Sequence, residues 1–184
     1  KELILATGIA TIYARDPLAT KCGQYALAEL SGNRFLLGAG VSHGPVVEWR
    51  SHGHTYEKPI PTMRAYLESM RDGKYIGPPP SETPLTVVAA LGPKMLELSA
   101  SHADGAHPYN VPPEHTAFAR KILGPGKLLC TEQMVLLETD ASKARAIGRR
   151  ILGGYLRLPN YCNNFLRLGY GDADFAGGGS DKLI

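Results

Sequence analysis

Apolar residues along this chain gather in two alternating ways, as short continuous runs and as stripes at helical spacing. Leu3 to Ala6 is a short apolar run, the mark of a buried strand. Asp16-Pro17 then places an N-cap before a proline at the first helical position. Leu18, Cys22, Tyr25, Ala26 and Leu30 follow as one helical stripe, Gly32 supplies the stop, and Phe35 to Gly38 reads as the next strand. The stretch from Val41 to Pro61 has no clear period and holds His43, Gly44, Pro45, His52, Gly53, His54, Pro59 and Pro61. Long structured loops inside compact domains are commonly functional. Thr62 is expected to cap a helix that turns Met63, Tyr66, Leu67 and Met70 inward, and Pro78-Pro79-Pro80 is a stiff connector.

Leu85 to Ala90 is the clearest buried strand, and Gly92-Pro93 turns it into a helix bearing Met95, Leu96 and Leu98. Asp104-Gly105 ends that unit, and Ala106 to Tyr109 is a short strand. Pro112-Pro113-Glu114 opens a helix with Phe118 and Ile122 inward, and Gly124-Pro125-Gly126 is a loop. Leu128 to Leu137 is expected to be a strand, and Asp140 to cap a long helix with Ala144, Ile147, Ile151 and Tyr155 on one stripe. Leu158-Pro159 breaks that helix, and a shorter one is expected from Asn163 to Leu168. Strands that alternate with helices argue an α/β fold with a parallel sheet. An open doubly wound sheet and a barrel both fit this pattern.

Composition narrows the class. The 184 residues allow one sizeable core, and 43% hydrophobic with 20% charged residues is ordinary for a globular domain. The net charge of +3 is scattered, so neither a nucleic-acid stripe nor a membrane patch is expected. Cys22, Cys130 and Cys162 are odd in number and far apart, which argues against a disulfide framework or zinc knuckle and for a cytoplasmic location. No apolar run is long enough to span a membrane, and no signal peptide is expected. Lys1 already stands in a strand-like run, and Gly177 to Ile184 reads as a loop entering a helix. The sequence is therefore expected to be an internal piece of a longer protein.

In either α/β architecture, ligands bind at the carboxyl ends of the strands. Those ends here are Thr7-Gly8-Ile9-Ala10, Gly38 to His43, Ala90-Leu91-Gly92-Pro93 and His107-Pro108-Tyr109. Gly92-Pro93-Lys94 suits an anion, because backbone N–H groups at a helix start are unpaired, and it equally suits a plain tight turn. Gly38-x-Gly40 lacks the third glycine of a dinucleotide fingerprint. His43 and His107, each at a strand end, are the candidate acid–base residues. His52-x-His54 has a spacing that barrel metallohydrolases use, but no carboxylate set completes it, and no metal site is expected. Tyr13 and Tyr109 are candidates to stack on a ligand.

Several of these residues form a familiar ordered set. Leu5 to Ile9, Arg15 to Ala19 and Ala28 to Gly40 resemble the third and fourth β/α units of the bacterial luciferase-like superfamily. Ala89 to Leu98 and Ala103-Asp104-Gly105 resemble its fifth and sixth units, in order over Lys1 to about Asp140. Val41-Ser42-His43, His107-Pro108-Tyr109 and Leu158-Pro159-Asn160-Tyr161 look most like an actinobacterial subgroup assigned to the deazaflavin coenzyme F420.

The resemblance implies a partial (β/α)8 TIM barrel, roughly strands 3 to 7, truncated at both ends, with residues 1–184 as a single incomplete luciferase-like domain. It implies a non-proline cis peptide at Gly8-Ile9, with Thr7, Gly8, Ile9 and Ala10 backing the tricyclic ring. Ala90, Leu91, Gly92 and Pro93 would meet the ribityl and phosphate groups, and Gly40, Ser42 and His43 would line the ring and substrate pocket. Val41-Ser42 stands where sugar-phosphate dehydrogenases of the superfamily carry a catalytic glutamate, which argues against that substrate class and leaves His43 and His107 as the catalytic candidates. The implied activity is hydride transfer between F420 and a small organic substrate, in a protein that is a homodimer at full length. The alternatives are an FMN-dependent monooxygenase using oxygen, a barrel metallohydrolase built on His52 and His54, and a non-catalytic relative.

Overall fold

The computed structural model describes residues 2–50 and 55–184. The chain divides into two compact units, Lys1–Tyr109 with Phe118–Glu132, and Asn110–Ala117 with Gln133–Ile184.

The first unit holds a parallel sheet of six short strands: β1 (Leu5–Ala6), β2 (Ala10–Thr11), β3 (Phe35–Gly40), β4 (Thr86–Val88), β5 (Gly105–Ala106) and β6 (Leu128–Leu129). Its order is β1-β3-β4-β5-β6, with β2 paired to β3 beyond β1. Each strand after β1 and β2 thus joins the outer side of its predecessor. A doubly wound sheet must reverse direction at a switch point, and this one never does. The winding is that of a (β/α) barrel segment, which decides between the two architectures the pattern allowed.

The helices are α1 (Pro17–Ser31), α2 (Gly44–Arg50), α3 (Pro59–Asp72), α4 (Pro93–His102) and α5 (Pro113–Leu123), the last of which passes from the second unit into the first; α1, α3 and α4 pack against the sheet and one another. Leu37, Ala39 and Val88 of the sheet pack with Met63, Leu67 and Met70 of α3 and Leu98 of α4. Asp16 caps α1 by accepting the Ala19 N–H at 2.9 Å, and Gly32 ends it at φ 63°. Asp104 accepts the Thr86 N–H at 2.7 Å, and Gly105 lies against the Leu128 carbonyl where a Cβ would not fit, so Ala103-Asp104-Gly105 locks β4, β5 and β6 together.

Several expectations need correcting. Leu3, Ile4 and Leu5 are 72%, 63% and 59% exposed rather than buried, because β1 pairs with β3 alone. The buried face of α1 is Gln24 and Ala28, and Leu18 and Leu30 point to solvent. Gln24 donates to the carbonyls of Pro84 and Leu85 and to Thr86 Oγ1, so a polar residue ties the helix to β4. The irregular stretch after Val41 contains α2, and α3 starts at Pro59 rather than at Thr62. Thr62 instead donates its hydroxyl back to the Lys58 carbonyl at 3.1 Å. The strand expected over Leu128–Leu137 is only Leu128–Leu129, and Val135 and Leu137 are exposed.

The second unit is helical beyond Glu132. Asp140 caps α6 (Ala141–Tyr155) by accepting the Ser142 and Lys143 N–H groups. α7 (Pro159–Arg167) begins at its proline, four residues earlier than the expected Asn163. Tyr161 and Phe165 are its buried anchors, with Tyr155 edge-on to Tyr161 at 5.1 Å. A short α8 (Asp172–Phe175) follows.

Candidate functional site

Parallel strands put all their carboxyl ends on one edge of the sheet, and the predicted site residues stand there. After β1 the chain makes a cis peptide at Gly8-Ile9, at the expected bond. It then rejoins the sheet as β2, with Ala10 opposite Ala39 and Thr11 opposite Gly40. Ala10 is therefore a sheet residue, and the bulge consists of Thr7, Gly8 and Ile9.

Two glycines of β3 seat that bulge. Thr7 Oγ1 donates to the Gly38 carbonyl at 2.8 Å and accepts the Gly38 N–H at 2.9 Å. A Cβ on Gly38 would run into the Thr7 carbonyl, and a Cβ on Gly40 would lie 2.7 Å from the Ile9 side chain. Gly38-x-Gly40 is thus a backbone seat rather than a phosphate loop. Gly40 is covered by Ile9, which makes it a support for the bulge.

Ala6, Thr7 and Gly8 line an open hollow of about 480 Å³ together with Leu36, Val87, His107, Cys130, Thr131 and Glu132. The His107 side chain is 15% exposed. Its Nδ1 lies 2.6 Å from the Cys130 carbonyl, and since a carbonyl only accepts, Nδ1 carries the proton there. Its Nε2 lies 3.1 Å from Glu132 Oε2. A Cβ on Gly8 would be 3.1 Å from both of those atoms. Bulge, imidazole and carboxylate therefore converge on one point. Burial pushes the Cys130 thiol pKa up, which disfavours the thiolate and any nucleophilic role.

The other predicted residues form two neighbouring groups outside the residues that line this hollow. Ser42 follows β3 at φ 59°, and its carbonyl accepts the Tyr56 hydroxyl at 3.4 Å. His43 is half-buried, and burial lowers its pKa. Tyr56 of this segment packs against Tyr13 with ring centroids 6.1 Å apart, and burial raises the pKa of both phenols. After β4, the Ala90 side chain is 3% exposed and belongs to the core with Leu96, Ala106 and Ala119, leaving only its backbone for a ligand. Leu91 and Gly92 lead into α4, whose N-terminus has Pro93 in its first turn and no side-chain cap.

Glu132 was missed because Leu128–Leu137 reads as one apolar strand; the signal was the polar Thr131-Glu132-Gln133 insert in that run. His52 and His54 lie outside the described residues. Among the described residues no group of His, Cys, Asp and Glu is arranged to hold a metal ion, and no helix is long and apolar enough to cross a membrane.

A bulge seated on two strand glycines, in a barrel-type winding, is matched at the level of sequence. The family described as luciferase-like monooxygenase matches residues 1–123. This chain belongs to the luciferase-like monooxygenase family. It is 31% identical over 122 residues to 5,10-methylenetetrahydromethanopterin reductase of Archaeoglobus fulgidus, covering 57% of this chain and 36% of that one. It is 38% identical over 68 residues to a provisionally named coenzyme F420-dependent oxidoreductase of Mycobacterium tuberculosis, covering 36% and 19%. In structure it resembles an F420-dependent secondary alcohol dehydrogenase solved with an F420-acetone adduct, at a TM-score of 0.68 and 14% identity, covering 83% of this chain and 56% of that one. That likeness speaks to the fold, a partial (β/α) barrel. The chain spans about a third of the length of the first of these relatives and a fifth of the second.

Proposed function

We propose that this luciferase-like chain is part of a two-electron oxidoreductase that moves hydride between coenzyme F420 and a small organic substrate. The observation that carries the reading is the convergence of the Thr7-Gly8 backbone and His107 on one hollow at the carboxyl edge of the sheet. The relatives named for F420 or for a pterin reductase support it.

The residues present fit such a cofactor. Thr7 and Gly8 line the hollow beside the strand ends, a surface that a flat ring can approach. The first turn of α4 has no side-chain cap, which suits a phosphate at Gly92 and Pro93. When bound, F420 supplies or accepts the hydride. Thr7, Gly8 and Ile9 orient the ring, and Ala90, Leu91, Gly92 and Pro93 hold the side chain and phosphates. Ser42 and His43 flank the pocket, and His107 holds the proton that accompanies hydride. Gly40 contributes through its seat under Ile9.

The test is a fluorescence titration of the full-length protein with F420 and, separately, with FMN. Tight binding of F420 alone supports the reading. Tight FMN binding with oxygen uptake by the reduced complex replaces it with a flavin monooxygenase. Binding of neither overturns it.

A further inference from the structure

Ser42 is a serine in a conformation that suits glycine or asparagine. Its φ is 59°, in the left-handed region, shortly after β3 ends at Gly40. A residue with a side chain keeps such a backbone only where its surroundings enforce it. Part of the enforcement is local. The carbonyl of His43 accepts the Val46 and Val47 N–H groups at 3.0 Å, so α2 starts on this turn. The rest comes from 14 positions further along, where the Tyr56 hydroxyl donates to the Ser42 carbonyl at 3.4 Å, a long bond. At the opposite end of the same side chain, a Cβ built on Gly44 would lie 3.4 Å from Tyr56 Cδ1 and 3.7 Å from its Cβ. One phenol therefore spans the turn from residue 42 to residue 44, and His43 is the residue between its two contacts.

Tyr56 is itself held. Its ring packs on that of Tyr13, with centroids 6.1 Å apart and planes tilted by 42°. Tyr13 packs in turn on the core that includes Ile12, Leu37 and Met63, and the Thr62 side chain of α3 stands beside its hydroxyl. Burial raises the pKa of the Tyr56 phenol, which keeps its hydroxyl a donor across the neutral range. The grip on the turn is thus anchored in the core of the first unit.

We infer that Tyr56 is a positioning residue: it holds Ser42 in the left-handed conformation and thereby fixes where His43 stands after β3. The inference rests on the oxidoreductase reading for the use of His43, though not for its placement. The backbone of the turn decides the direction in which the imidazole leaves the strand end. Tyr56 acts through that backbone, not by contact with the reacting atoms.

The experiment is an NMR pH titration of the full-length protein labelled in its histidines, with His43 assigned by His43→Gln. The wild type is compared with Tyr56→Phe, which loses the hydroxyl alone, and with Tyr56→Leu, which loses the ring as well. Burial holds the His43 titration below 6.5 in the wild type. The expected result is a His43 titration that moves up toward 6.5 in Tyr56→Phe and further in Tyr56→Leu. The His102 and His107 resonances and the thermal midpoint of Tyr56→Phe should stay as in the wild type. Ser42→Asn added to Tyr56→Phe should move the His43 titration back down, because asparagine visits the left-handed conformation far more readily than serine. A His43 titration that rises in neither variant, a shift shared by all the histidines, or no return in the double variant overturns the positioning role. F420 titration of the wild type separates the two ideas. Failure to bind F420 refutes the cofactor reading and leaves the His43 titration to decide the role of Tyr56.

Discussion

Gly38 is bonded twice to one side chain, giving its N–H to Thr7 Oγ1 at 2.9 Å and receiving the Thr7 hydroxyl at its carbonyl at 2.8 Å. A threonine side chain thus takes up both backbone groups of a strand residue at the place where β1 leaves the sheet for the bulge. The carbonyl of Thr7 lies so near Gly38 that the strand has no room for a Cβ.

Gly38→Ala is therefore expected to cost more than Thr7→Val. The alanine methyl meets backbone, which cannot rotate away, and the cost is at least about 1–3 kcal/mol of overpacking. Thr7→Val keeps the shape and removes the acceptor of the Gly38 N–H, for a loss of about 1–3 kcal/mol. Urea unfolding of both variants measures the order; a Gly38→Ala protein as stable as the wild type would show the seat to be loose.

Gln24 makes a contrast of charge at constant shape. It is 4% exposed and donates to carbonyls at the start of β4. Gln24→Glu sets a carboxylate against those carbonyls, while Gln24→Leu removes the donor alone, at about 1–2 kcal/mol. The glutamate variant should be the less stable of the two at pH 8. The gap should narrow at pH 4.5, as protonation gives the buried carboxyl a donor. Denaturant midpoints of the two variants at both pH values check this.

Burial lowers the His43 pKa below its ordinary 6.5. The unfolded chain then takes up this proton at a higher pH than the folded one. The stability linked to His43 is complete above about 6.5 and is lost as pH falls from there toward the folded-state value. His43→Gln should reduce the drop in melting temperature between pH 7.5 and pH 5.5, and equal drops in the two proteins would refute the linkage.

Gly8→Ala tests the bulge against its neighbours. The new methyl would lie 3.1 Å from Glu132 Oε2 and His107 Nε2, both ends of side chains. Those ends can shift by a few tenths of an ångström, so stability should fall by less than about 1 kcal/mol. F420 affinity should fall about tenfold, because the shifted His107 and Glu132 side chains change the lining of the hollow. Calorimetric unfolding and fluorescence titration of the same sample read both quantities.

The strand-helix alternation, the Asp16 and Asp140 caps and the α3 stripe were legible in the sequence from local signals, a run or a cap residue, whereas the Gly8-Ile9 cis bond was expected only from the family resemblance. The misreadings share another cause. Leu3 to Leu5 and Met134 to Leu137 are apolar, but apolarity does not say whether a neighbour covers the residue, and here Leu5 and Leu137 are exposed. Gln24 was hidden for the opposite reason: a polar residue is buried because three acceptors at the start of β4 receive its amide. Glu132 was invisible as a site residue because its partner, His107, is 25 positions away and reaches it only when β5 and β6 lie side by side.

The Thr7 seat also bears on the thermodynamics of recognition. Its hydroxyl is fully engaged by Gly38, so Thr7 can offer a ligand only backbone and methyl surface. The contacts of Thr7 with Gly38 and of Ile9 with Gly40 tie the bulge to β3. Under the proposed reading, ring binding then orders no loop and forgoes the entropic penalty that coupled folding carries. Its heat-capacity change should be the small negative one of a ring leaving water, well short of the change that accompanies a segment folding around its ligand.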